Sequence, residues 1–297
     1  MKKEIIYLLA LILCVSCEDV IDVDLPEVEP KLIVEGLLRV DKSEEFINVE
    51  IKMKETSNYF DENRPVQVES AIITYGRPLN DGIFETLAFS SLAEKEPGTG
   101  IYIPDPNYSS DQRIRTSAAE PGIVFILEIT YQGKYYYAQT EYAPTVPLDN
   151  LEQGDGTLFE DDETEMIVTF TDDPDVNNYY VFDFDFGEFL TVEDQFFQGQ
   201  QFSFSYFYND SLNPGQEVTV SILGATEEFY NYMDLILEQT TDTGGVFQTP
   251  IATVRGNVFD VTGLDNINIY DNVERPNDYA LGYFAVVQQF SQTVTIQ

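Results

Sequence analysis

Histidine and tryptophan are absent from all 297 residues, and both cysteines lie within the first 17 positions. Without histidine there is no His-ligated zinc site, no Ser–His–Asp triad and no Cys–His pair. With no cysteine after Cys17, a chain beginning there holds neither a cysteine zinc site nor an internal disulfide. Carboxylate pairs, as in glycoside hydrolysis, and oxygen-ligated metals remain as routes to chemistry. Among 53 Asp and Glu such pairs arise by chance and carry no information alone. No catalytic residue, cofactor or metal ligand is assigned. The lack of tryptophan also removes the best stacking surface for pyranose rings, although 19 Tyr and 21 Phe remain.

Positive charge is scarce. Fifteen Lys and Arg face 53 acids, for a formal net charge of −38. Nucleic acid and anionic lipid surfaces are poor partners, since binding them requires Lys and Arg to displace counterions. The acidity reads most simply as solubility and mutual repulsion.

Long hydrophobic runs are lacking too, with one short exception at the start. Met1-Lys2-Lys3-Glu4 precedes an apolar run from Ile5 to Val15, then Ser16-Cys17. A basic start, a short apolar stretch and a small residue before the cut form a secretory signal. The run is well under the ~20 residues needed to span a bilayer. A cysteine just past the small residue marks a lipoprotein signal, whose thiol takes a diacylglycerol and becomes the first residue. Cys14 follows bulky Leu13, a poor site, whereas Cys17 follows Val15-Ser16, although Cys14 stands where such signals usually carry Leu. Lipidation is therefore expected at Cys17. Removing residues 1–16 takes away Lys2, Lys3 and Glu4, a net +1, and moves the charge from −38 to −39.

The body beyond the anchor reads as mainly β. Residues 17–30 contain Pro26 and Pro30 without helical period, and predict an extended lipidated tether. From 31 to 145, Leu32 to Leu38, Phe46 to Ile51, Val66 to Tyr75 and Ile83 to Leu87 are strand-like, with Asp81-Gly82 as a hairpin turn. Ile123 to Tyr131, Gln132-Gly133 and Lys134 to Tyr142 form the clearest hairpin. Strands at this spacing without intervening helices predict an immunoglobulin-like β-sandwich. Pro144 and Pro147 mark a boundary, and Asp149 to Glu165 reads as a solvated acidic linker rather than a calcium loop.

Residues 146–297 predict a second antiparallel β domain carrying one amphipathic helix. Asp173, Asp175 and Asn177 alternate like calcium ligands, but the sixth position is Asn178 and the twelfth Phe184, so an Asx-type turn is expected. Tyr180, Phe182, Phe184 and Phe186 share one strand face, read as core, while Asp183 and Asp185 share the other, read as solvent-facing. The run Phe202 to Tyr208 is apolar on both faces and is the preferred recognition surface. A helix near 226–239 is capped by Thr226, has Glu227 and Glu228 at its positive end, and carries Phe229, Tyr232, Met233, Ile236 and Leu237 as one stripe. That stripe predicts packing on a sheet, because the polar side lacks Lys and Arg.

Several short stretches together resemble a family of Bacteroidota outer-membrane lipoproteins known as domain of unknown function 4249. They are Cys17-Glu18-Asp19, Asp24-Leu25-Pro26, Leu32 to Gly36, Tyr135 to Pro144, Asn178-Tyr179-Tyr180, the helix Phe229 to Gln239, Pro250, Asn257 and Gly282-Tyr283-Phe284. The resemblance implies an outer-membrane location facing outward, beside TonB-dependent transporters and other surface lipoproteins. It also implies that Glu18, Asp19 and Asp22 act as a surface-export signal, and it brings no catalytic residue. The expected function is a non-enzymatic accessory subunit of an outer-membrane β-barrel complex, for cargo capture or scaffolding. The alternative is a stand-alone glycan- or peptide-binding lipoprotein.

Overall fold

The computed structural model describes residues 29–57, 62–79, 84–158, 163–208, 212–241, 254–264 and 278–297. Cys17, Glu18, Asp19, Asp22 and the Asp81-Gly82 turn lie outside the described residues.

The chain is mainly β, as its composition and alternation predict. Strand β1 (Leu32–Val40) buries Leu32, Val34, Leu38 and Val40 and turns Glu35, Leu37 and Arg39 outward. It is followed by β2 (Ile51–Glu55), β3 (Arg64–Pro65), β4 (Ser70–Pro78), β5 (Phe84–Glu94), β6 (Ile101–Pro104), β7 (Val124–Tyr131) and β8 (Lys134–Glu141). The β7–β8 hairpin forms as expected, with Gln132 at φ 52° and Gly133 at φ 71°. Two positive φ values in a two-residue loop match the twist of the flanking strands. Strands β4 and β5 also pair antiparallel on either side of residues 80–83.

The last strand, β16 (Leu281–Thr295), organises the molecule. Its first half runs parallel to β1, from Ile33↔Leu281 to Val40↔Gln288. The hydrogen-bonded path then continues β1-β2-β6-β5-β4-β7-β8 to β15 (Val258–Asp260). It returns to its start, because Ala143, just past β8, bridges Val287 in parallel and accepts from Gln288 N–H at 2.8 Å. Asn257 seals the same seam. Its amide donates to Gln139 O and Phe284 O and accepts from Phe284 N–H, at 2.8–2.9 Å. The first unit is thus one sheet closed around one core, with a parallel pair at the seam, where the sequence predicted an immunoglobulin-like sandwich. The core draws Val258, Ala280, Phe284 and Val286 from beyond residue 145, a closure that no local pattern announces.

The two-layer sandwich is in the second unit. One layer contains β12 (Phe189–Glu193), β11 (Tyr179–Asp183), β14 (Glu217–Ala225) and the second half of β16, all antiparallel. The other contains β13 (Gln201–Tyr208), β10 (Thr164–Thr171) and β9 (Leu148–Gln153). Leu148 and Leu151 are buried, so the start of the expected linker is instead an edge strand. A register shift at Thr169/Phe170 lets both leucines face inward although they are three residues apart.

Helix α1 (Glu227–Thr241) begins as the sequence predicts: Thr226 Oγ1 accepts from Phe229 N–H at 3.2 Å. It lies across the outer face of the sheet where the two units meet. Phe229 is buried there with Val181, Leu223, Ala285 and Val287. Tyr232 and Tyr283 meet with ring centroids 4.8 Å apart.

Burial of so many tyrosines makes alkaline pH a sensitive variable. Burial pushes Tyr136 and Tyr142 up to about 12, and Tyr131 also to about 12, with help from its hydrogen bond to Glu55. Burial also raises Tyr180, Tyr206, Tyr208 and Tyr283. A raised folded-state value means the native state holds protons that the unfolded chain releases. This stability is therefore complete below about pH 10 and is lost as pH climbs towards 12. With no histidine, stability is expected to stay level from about pH 6 to 9. Thermal melts across this range, followed with tyrosinate absorbance, are expected to show the melting point falling only above about pH 10. A fall near neutrality would contradict it.

Candidate functional site

The outer face of a sheet strand is usually polar, yet β1 and β16 carry apolar residues on both faces. Leu37, Tyr283, Ala285 and Val287 point away from the closed core, and α1 covers part of them. Among the described residues the covering is incomplete. Tyr232, Met233, Ile236 and Leu237 are only half-buried, and a groove of about 920 Å3 runs between this stripe and the outer wall of β1 and β2. Its size is at the upper end of ligand-binding clefts, about 300–1,000 Å3.

One wall is apolar and the other is charged. On the sheet side stand Glu35, Arg39, Asp41, Glu44, Glu50 and Lys52. Arg39 is held by Asp183, Nη2 to Oδ2 at 2.6 Å, which joins β1 of the first unit to β11 of the second. Lys54 pairs with Glu35 at 3.0 Å, and Lys95 lies 3.5 Å from Glu50. The helix is fixed to β12 by Thr191 Oγ1, which donates to Asp234 at 2.7 Å. Burial raises Tyr232 above the usual tyrosine range, with nearby Glu35 adding to the shift. Gln289, also on the groove, has a buried Oε1 without a hydrogen-bond donor among the described residues. The arrangement offers apolar contact beside carboxylates.

The structure relocates two features that the sequence had placed at the surface. The run Phe202 to Tyr208, expected as a recognition surface, mostly faces inward. Phe202 stacks on Phe197 at 4.3 Å, Phe204 meets Phe182 edge-on at 5.2 Å, and Tyr206 stacks on Phe184 at 3.8 Å. The aromatic runs of β11 and β13 are two facing layers of one core, and each supplies the other's partner. Asp183, expected in solvent, is the ion-pair partner of Arg39, with its side chain 16 % exposed. Asp185 is also tied down: its N–H donates to Asp183, and its carboxylate accepts from Phe186 N–H. The aromatic alternation stops at Phe184. Asp185, Phe186 and Gly187 all have positive φ, and this turn leaves Phe186 exposed.

The expected Asx turn forms, Asp175 N–H donating to Asp173 Oδ1 at 3.0 Å. Among the described residues no three His, Cys, Asp or Glu side chains are grouped as a metal site. Among them, too, no helix is long and apolar enough to cross a membrane. Sequence reasoning missed the groove residues Arg39, Leu37 and Tyr283. A usable signal was present: Tyr283-Phe284-Ala285-Val286-Val287 is an unbroken apolar run, which marks a strand covered on both faces.

Among known proteins, a family model described as a domain of unknown function, DUF4249, matches residues 18–293. Comparison with curated proteins finds no match.

Proposed function

The chain belongs to the DUF4249 family, a domain of unknown function, and on that premise we propose that it is a non-enzymatic surface lipoprotein of the outer membrane. In this reading Cys17 carries the lipid, residues 17–30 tether the body, and Glu18, Asp19 and Asp22 direct it to the outer leaflet. The body serves as an accessory subunit of an outer-membrane β-barrel, a TonB-dependent transporter, capturing cargo or scaffolding the complex.

The observation that carries the proposal is the signal ending in Ser16-Cys17, followed by a short tether and then at once by β1. A body held within tens of ångströms of the bilayer meets membrane-embedded partners at high effective concentration, so modest contacts suffice. The α1 groove supplies a contact surface. The absence of histidine, and of cysteine after position 17, supports binding over catalysis.

Affinity purification from detergent-solubilised envelopes tests the role. A β-barrel protein is expected to co-elute in near-stoichiometric amount. A body that elutes alone would sink the proposal, and glycan or peptide binding by that isolated body would favour the stand-alone reading.

A further inference from the structure

The stripe of α1 is apolar, and among the described residues it is only partly covered. Met233, Ile236 and Leu237 are half-buried over a groove whose facing wall carries carboxylates. Arg39, one of the two cations on that wall, is neutralised by Asp183 at 2.6 Å. Glu35 is paired with Lys54 at 3.0 Å, and Lys52 then stands against Asp41, Glu44 and Glu50, the last of which also lies 3.5 Å from Lys95. The helix adds Glu227, Glu228, Asp234 and Glu238 and has no basic residue. The groove is therefore apolar on its helix side and carries more carboxylates than cations on its sheet side, while the helix around it is acidic.

Its surroundings narrow what can enter. β1 is hydrogen-bonded on both edges along Ile33–Glu35, to β2 and to β16, so that stretch has no free strand edge to extend. Along that stretch an occupant is held by side chains. A second copy of this chain, at a formal −38, meets like charge. An anionic lipid surface meets the same repulsion.

We propose that the groove binds an amphipathic segment of a partner protein whose apolar side chains alternate with lysine or arginine. The apolar residues contact Met233, Ile236 and Leu237, and the cations face Asp41, Glu44 and Glu50. This rests on the accessory-subunit reading and gives the partner's docking segment a chemistry. Complementary charge sets the register and speeds encounter, while the apolar contacts supply residence time.

The test uses the full mature chain in detergent micelles and three short labelled peptides, followed by fluorescence anisotropy. One is an amphipathic leucine–lysine peptide, one its leucine–glutamate counterpart, and one a serine–lysine peptide of the first one's charge. The leucine–lysine peptide is expected to bind at least about tenfold tighter than either of the others. Ile236→Lys is expected to weaken it about tenfold, whereas Leu235→Lys, with the same charge change on the exposed side of the helix, is expected to alter binding less than about twofold. Glu44→Gln with Glu50→Gln, which leaves the apolar stripe intact, is expected to narrow the gap between the leucine–lysine and leucine–glutamate peptides. Equal binding of the serine–lysine or leucine–glutamate peptide, or equal losses at positions 236 and 235, would overturn the proposal. If the peptides behave as expected but no barrel co-elutes from envelopes, the accessory role falls and the groove's specificity stands. A barrel that co-elutes undiminished with Ile236→Lys places its docking surface elsewhere and overturns the groove proposal.

Discussion

Gly282→Ala is expected to destabilise the protein by more than about 4 kcal/mol, enough to place it among the most damaging single changes a domain can suffer. Gly282 has φ +87°, where a side chain costs about 1–2 kcal/mol from backbone sterics alone. The larger cost is positional. A Cβ there would stand 2.0 Å from Val34 O and 2.8 Å from Val34 C, both backbone atoms of the neighbouring parallel strand. Gly256 approaches from another direction, since a Cβ on it would meet Gly282 O at 1.6 Å. Three backbones converge where β16 enters the seam, so a Cβ on Gly282 meets main chain rather than a movable side chain. Gly98 is the control. It has nearly the same φ, +86°, but nothing among the described residues lies within 4 Å of its would-be Cβ. Gly98→Ala is expected to cost only about 1–2 kcal/mol, the conformational share alone. Urea or thermal unfolding of the two variants separates strain from collision, and equal losses would refute the close-packing account.

Cys17→Ser is expected to abolish acylation outright and to free the processed body from the envelope. Serine has no thiol to form the thioether, so no diacylglycerol is added. Each acyl chain buries enough methylenes to contribute on the order of 10 kcal/mol to membrane partition, and stable anchoring takes two such attachments. Without them a body of this acidity has no favourable contact with an anionic surface. Labelled palmitate is expected to fall to background in the variant, and the processed body to move from the pelleted to the soluble fraction. A processed Cys17→Ser product that still pelleted would remove the basis for the proposed role. Cys14→Ser serves as the control, with labelling expected to remain.

The parts of this fold that sequence conveyed are those decided within a few residues. Positive φ at Gln132-Gly133 demands a tight hairpin, and the flanking alternation supplies its strands. Thr226 caps a helix because its hydroxyl reaches Phe229 N–H, and Asp173 closes an Asx turn because its carboxylate reaches Asp175 N–H. Sequence was weaker wherever two distant segments complete each other. The aromatic face of β11 reads as core, but the run of β13 reads as a surface for a partner; together they form a core of stacked and edge-on rings. Asp183 looked solvated because its partner, Arg39, is 144 residues away.

By itself the sequence determined the His- and Cys-dependent chemistry the chain lacks the residues for, the mainly β character and the alternation of most strands. Those follow from side-chain inventory and from backbone periodicity, which are local. Only the tertiary structure decided that one strand, Leu281–Thr295, threads both cores, that the first sheet closes through it, and that α1 leaves a groove over its outer face. Alternation states which side of a strand is apolar and says nothing about which remote surface will cover it, because burial rewards any apolar partner nearly alike. Close approach at Gly282 and the hydrogen bonds of Asn257 select one pairing among many, and they exist only once the chain has come together.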